Sequence, residues 1–191
     1  MRRSILTMTF AAMLVGSAAE ATTFTFNTDP FAGSTALTTP GRQVVGNEVF
    51  ITFNPATDVF EFDSTHFGIT DPLSFASGPA GSLPTSGAEV IVLQEFGPPM
   101  AAPIAASLIA GRVTSPGAGV FVYFNTGLGV PRLVYSTNLD DETADLKILA
   151  RMTNLNAQSL AQFEADNFAV PEPATLLLFG MAGLAAIRRR S

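Results

Sequence analysis

The stretch GVFVYFNTGLGVPRLVYST, residues 119–137, decides the fold class. Val120, Phe121, Val122, Tyr123 and Phe124 follow one another without a polar break. A run of this kind is expected of a strand buried on both faces. Asn125-Thr126-Gly127-Leu128-Gly129 then reads as a hairpin turn leading into a return strand through Leu133, Val134 and Tyr135.

Outward from this hairpin, short strand signals recur. Thr22 to Phe26 alternates polar and apolar residues, and further strands are expected at Val44–Phe53, Asp58–Asp63, Ala88–Phe96, Ala144–Met152 and Asp166–Val170. Val49, Ile51 and Phe53 are expected on one strand face, and Val59, Phe60 and Phe62 supply the next. Pro103–Ala110 has helical spacing and high alanine content, and Asn156–Phe163 is a second helical candidate. Ser64–Gly87, rich in Ser, Gly, Pro and Thr, reads as a long loop. No fixed-period repeat appears. Repeated short strands punctuated by Gly and Pro predict a mostly β fold, a β-sandwich or jelly-roll-like domain with one or two short helices.

The chain has 191 residues, 47% hydrophobic and only 14% charged. Much of the apolar excess lies at the ends. Arg2 and Arg3 precede an apolar run from Ile5 to Val15, and then Gly16-Ser17-Ala18-Ala19-Glu20-Ala21. A short basic region, an apolar stretch and a small-x-small site form a secretory signal, with Ala19 and Ala21 at the small positions and cleavage after Ala21. Residues 1–21 are therefore read as signal peptide, 22–169 as the exported β-rich domain and 170–191 as a separate tail. Within 22–169 five basic residues face fourteen acidic ones, a net charge of −9, and Lys147 is the only lysine. Phosphate backbones demand clustered Lys and Arg, so nucleic acid is a disfavoured partner. Cysteine is absent, which excludes disulfides and thiolate metal sites.

The tail opens with Val170-Pro171-Glu172-Pro173, continues as the uninterrupted apolar run Ala174–Ile187 and ends in Arg188-Arg189-Arg190-Ser191. As a helix the run spans about 21 Å at ~1.5 Å per residue, short of a hydrocarbon core of about 30 Å. Snorkelling arginines and local thinning can close that gap. The prolines stop the helix and keep Glu172 extended and accessible. Arg2, Arg3 and the terminal arginines should stay cytoplasmic under the positive-inside rule, leaving 22–169 outside a single transmembrane helix.

This tail resembles the PEP-CTERM protein-sorting signal: Pro171-Glu172-Pro173, a short apolar helix with Gly180 and Gly183, then Arg188-Arg189-Arg190 at the chain end. The resemblance covers about 22 residues and coincides with a signal peptide. It implies a Gram-negative bacterium and an exosortase, an integral-membrane processing enzyme, as partner. It further implies a membrane-anchored intermediate in the inner membrane, then the cell surface or an extracellular matrix, often rich in exopolysaccharide. Leu83-Pro84-Thr85-Ser86-Gly87 looks like the sortase pentapeptide, but Ser86 departs from it and the site lies far from the apolar run; it reads as a loop.

Chemistry-bearing residues in the middle are sparse. His66 is the only histidine, with Asp58, Glu61, Asp63 and Asp71 near it in sequence. Glu61 and Asp63 are expected on one strand face and Asp58 on the other, so no preformed metal cluster is expected. Asn138, Asp140, Asp141, Glu142 and Asp145 offer oxygen ligands suited to calcium, but they lack EF-hand spacing and read as a solvated turn. No Gly-x-Ser-x-Gly elbow and no phosphate-cradling glycine loop occurs. With Tyr123 and Tyr135 the only tyrosines and no Trp, the 16 Phe read as core material rather than sugar platforms. The expectation is a non-enzymatic surface or matrix protein without cofactor or metal. The alternative is a secreted glycan-binding or glycan-hydrolysing protein using paired carboxylates.

Overall fold

The computed structural model describes residues 20–97, 99–114 and 117–171. The signal peptide up to Ala19 and the tail from Glu172 onward, with its expected transmembrane helix, lie outside the described residues. Among the described residues no helix is long and apolar enough to cross a membrane.

Strands dominate: β1 (Thr23–Phe26), β2 (Val44–Val45), β3 (Val49–Ile51), β4 (Val59–Phe62), β5 (Phe75–Gly78), β6 (Val90–Leu93), β7 (Gly119–Asn125), β8 (Val130–Ser136), β9 (Leu146–Met152) and β10 (Phe168–Ala169). Two α-helices, α1 (Ser64–Phe67) and α2 (Ala102–Ala110), and three 3-10 segments complete the described chain. The strands form a seven-stranded sheet with the order β2-β9-β8-β7-β6-β5, β3 also pairing with β9, and a three-stranded sheet with the order β1-β4-β10.

The reading of residues 119–137 holds in detail. β7 and β8 pair antiparallel from Gly119↔Ser136 to Asn125↔Val130. Asn125 closes the turn, its carbonyl accepting from the Gly129 N–H at 2.8 Å and its Oδ1 from the Leu128 N–H at 2.9 Å. Gly129 takes φ +71°, a left-handed conformation that favours glycine. Val120–Phe124 of β7 are apolar without a break because both faces of the strand are covered. Val120 and Val122 enter a core shared with the small sheet, whereas Phe121 and Tyr123 enter a second core under α2. β6 divides in the same way, Val90 and Val92 on one side and Ile91 and Leu93 on the other.

The first core is built on phenylalanine. Phe53 lies fully buried and stacks on Phe60 at 4.3 Å and on Phe163 at 5.3 Å between ring centroids. Phe24, Phe26, Phe62 and Phe168 extend the cluster. The second core is held by α2, whose Ala102, Ala105 and Ala106 present little bulk to the sheet and whose Ile109 is fully buried. Helix α2 matches the helical spacing of Pro103–Ala110, and the Asn156–Phe163 segment forms 3-10 helix over Ala157–Gln162.

Three expectations need correction. A jelly roll pairs neighbouring strands antiparallel, but among the described residues six of the eight ladders are parallel. The cause lies in the connections. Parallel neighbours need a crossover of about a dozen residues, and the segments between β5 and β6 and between β6, α2 and β7 supply them. Second, the Ser64–Gly87 segment is not one loop. Asp63 caps α1, its Oδ1 accepting from the Thr65 N–H at 2.8 Å, Gly68 ends it at φ +63°, and β5 then pairs with β6. Third, Val44–Phe53 is two strands. Val45↔Lys147 and Val49↔Ala150 set four residues on one side against three on the other, a bulge with Asn47 at φ +69°. Val49 is consequently half exposed, while Ile51 and Phe53 point inward as expected.

Candidate sorting junction and polar sites

The C-terminal exit is built on β4. The 3-10 segment Ala165–Asn167 delivers Asn167 to a buried position, where its Nδ2 donates to the carbonyls of Pro55 and Asp58, both at 2.8 Å. Phe168 pairs with Phe60 and Ala169 with Glu61. Phe168 packs against Phe60, Phe75 and Phe163. Val170 is still buried, and Pro171 is exposed. Proline has no N–H to extend a ladder, so the sheet stops where the Pro-Glu-Pro tripeptide starts. Glu172, Pro173, Arg188, Arg189 and Arg190 lie outside the described residues.

The N-terminal entry lies on the other side of the same strand. β1 pairs with β4 in parallel from Thr23↔Val59 to Phe26↔Phe62. Thr22 precedes it, donating its N–H to Asp58 Oδ1 at 2.9 Å and accepting from the Val59 N–H at 3.0 Å. Ala21 is exposed, and Ala19 lies outside the described residues. Asp58 is 5% exposed, and its Oδ2 accepts from the Asn54 N–H at 2.8 Å. In the sequence Asp58 shows only as the start of a strand and a candidate oxygen ligand near His66. Its bond to Thr22 spans 36 residues, a separation that carries no local signal.

The acidic residues around His66 do not converge. Asp58 is buried on backbone amides, Glu61 accepts from Thr25 Oγ1 at 3.3 Å, and Asp63 is occupied as the α1 cap. His66 sits on α1 with Nδ1 3.3 Å from Asp63 Oδ1, both side chains 39% exposed. The Asn138–Asp145 group is likewise engaged, chiefly on main-chain N–H groups. Asn138 Oδ1 accepts from the N–H groups of Gly117 and Asp140, each at 3.0 Å. Asp141 Oδ1 accepts from the Thr143 N–H and Oγ1, both at 2.7 Å, and these bonds hold its carboxyl below the usual aspartate range. Asp145 is buried and accepts from Leu37 and Gln43 N–H at 2.7 and 2.6 Å, pinning the chain before β2. Among the described residues no group of three or more His, Asp or Glu is placed to hold a metal ion.

The cations are dispersed on structural tasks. Arg42 donates to the carbonyls of Ala144 and Pro103, and Lys147 to that of Gly46. Arg132 and Arg151 both bind Glu48 Oε1 from the bulge between β2 and β3. Burial opposes ionisation of Glu48, but the Arg132 and Arg151 bonds outweigh it and hold its carboxyl low. Arg151 also lies over the exposed Phe50 ring, 4.6 Å from the centroid. A recess of about 640 Å³ is lined by Asn54, Asp58, Gln162, Glu164, Asp166 and Asn167 among others.

A family model of the PEP-CTERM protein-sorting motif matches residues 169–190. The match is confined to the C-terminal tail and begins inside β10, at Ala169. No curated protein and no solved structure matches the chain.

Proposed function

We propose that this chain is an exported, non-enzymatic protein of the bacterial cell surface or extracellular matrix. Its tail holds it in the inner membrane until an exosortase acts at the Pro171-Glu172-Pro173 signal. The observation that carries this reading is the junction: the motif match starts at Ala169, and exposed Pro171 directly follows buried Val170. Pro171, the first residue of the recognition tripeptide, thus stands at the surface of the folded domain, and the apolar run and Arg188–Arg190 follow it in sequence. Association with exopolysaccharide is the destination we favour, on the resemblance of the tail to sorting signals often met in exopolysaccharide-producing organisms. The non-enzymatic reading draws on the engagement of Asp58, Asp63, Asp141 and Asp145 in hydrogen bonds to main-chain N–H groups.

The chain has no cysteine, so single introduced cysteines report topology. In cells lacking the processing enzyme, Leu128→Cys on the exposed β7–β8 turn should react with a thiol reagent that cannot cross the inner membrane. Ser191→Cys should react only after that membrane is opened. Labelling of both in intact cells contradicts the anchored intermediate.

A further inference from the structure

We propose that the α-ammonium group created at Thr22 by removal of the leader seats on the buried Asp58 carboxylate as its counter-ion. This rests on the reading that the signal peptide is cut after Ala21.

Asp58 is a carboxylate 5% exposed, whose hydrogen bonds come from neutral donors: the N–H groups of Thr22 and Asn54 and the hydroxyl of Thr57 at 3.2 Å. Among the described residues no Lys, Arg or His side chain forms an ion pair with it. The groups around it add no positive charge. Glu164 and Asp166 line the same recess, Glu61 stands along β4 on Thr25, and Glu20 precedes the cut. Buried charges are normally paired, and among the described residues this one meets neutral donors, with Glu164 and Asp166 in the same recess.

Leader removal supplies a cation at a nitrogen that already touches this carboxylate. A signal-cleaving protease hydrolyses the Ala21–Thr22 peptide with one water. The carboxylate leaves on Ala21, and the nitrogen of Thr22 becomes an ammonium at neutral pH. That nitrogen already lies 2.9 Å from Asp58 Oδ1, and the Thr22 carbonyl is held by the Val59 N–H at 3.0 Å. Glu20 and Ala21 are exposed, so the cut removes no buried contact from this site. A neutral amide bond is thereby replaced by a charge-assisted one, and β1 is locked at the edge of the small sheet once export is complete.

The full chain, expressed with its own leader and exported, carries two amines after processing, the Thr22 α-amine and Lys147. Mass spectrometry gives the N-terminus, and acetic anhydride labelling against pH titrates the α-amine with Lys147 as internal reference. An ordinary α-amine titrates near about 7.7–8.0. The expected result is a chain starting at Thr22 whose labelling midpoint lies about one pH unit above that range and returns to it in urea. Inserting one serine between Ala21 and Thr22, which displaces the charge while keeping Asp58, should also restore the ordinary midpoint, as should Asp58→Asn. A chain that starts at Thr22 but labels in the ordinary range overturns the pairing alone. A chain that starts elsewhere overturns the cleavage reading and the pairing with it.

Discussion

The hydroxyl of Tyr135 donates to the main-chain carbonyl of Phe67 at 2.9 Å, fastening the middle of the large sheet to α1 across the phenylalanine core. The Phe67 ring meets the Tyr135 ring edge-on at 5.0 Å. Burial, followed by the negative charge of Asp29, pushes the Tyr135 phenol up to about 12. Tyr135→Phe leaves a buried carbonyl without this donor and should cost about 1–3 kcal/mol in urea unfolding. The pH dependence follows from linkage. The unfolded phenol ionises near about 10 while the folded one keeps its proton to about 12, so wild-type stability should fall as pH rises through that window. Tyr135→Phe should lack this contribution; an unchanged alkaline slope contradicts the assignment.

Gly119 begins β7 where no side chain fits. A Cβ there would lie 2.5 Å from the Glu89 carbonyl oxygen and against Leu139 Cδ1. That carbonyl accepts the Val120 N–H at 2.8 Å and cannot yield without loosening the β6–β7 ladder. Gly119→Ala should therefore destabilise by about 1–3 kcal/mol, the usual range for overpacking. Gly46→Ala, with open space around its Cβ, should change stability much less. Equal effects in chemical denaturation would show that the close approach is absent.

Phe53 and Phe50 offer a contrast three residues apart. Phe53 is fully buried between Phe60 and Phe163, and Phe50 is 65% exposed beneath Arg151. Phe53→Ala should cost about 3–5 kcal/mol, and Phe50→Ala no more than about 1 kcal/mol, the scale of an exposed cation–π contact. Calorimetric midpoints of the two variants would separate them, and a similar loss from each would contradict the placement of the core.

Legibility in the sequence follows from how local each signal is. β7 could be read because both faces are covered, which forces consecutive apolar residues, and the Asn125–Gly129 turn lies beside it. β5 could not. It is an edge strand whose Phe75-Ala76-Ser77-Gly78 carries one large apolar residue among turn formers. Parallel pairing was hidden as well, since strand signals say nothing of which end the next strand enters; only the lengths of the Gly- and Pro-rich connections bore on it. The α1 caps were visible in Asp63 and Gly68, though masked by the surrounding Ser and Thr. The sorting tripeptide, apolar run and arginines are contiguous and so were legible. The Thr22–Asp58 contact joins distant segments and was not.

The most direct measurement is the C-terminal peptide of the protein recovered from surface and membrane fractions of its native host. A recognition signal needs Pro171-Glu172-Pro173, whereas a plain anchor needs only apolarity and flanking charge. Mass spectrometry should find wild-type protein at the surface without Arg188–Arg190. The variant with Pro171, Glu172 and Pro173 replaced by alanine should remain in the membrane with them. Retention of Arg188–Arg190 in both proteins would contradict sorting and leave only a membrane anchor.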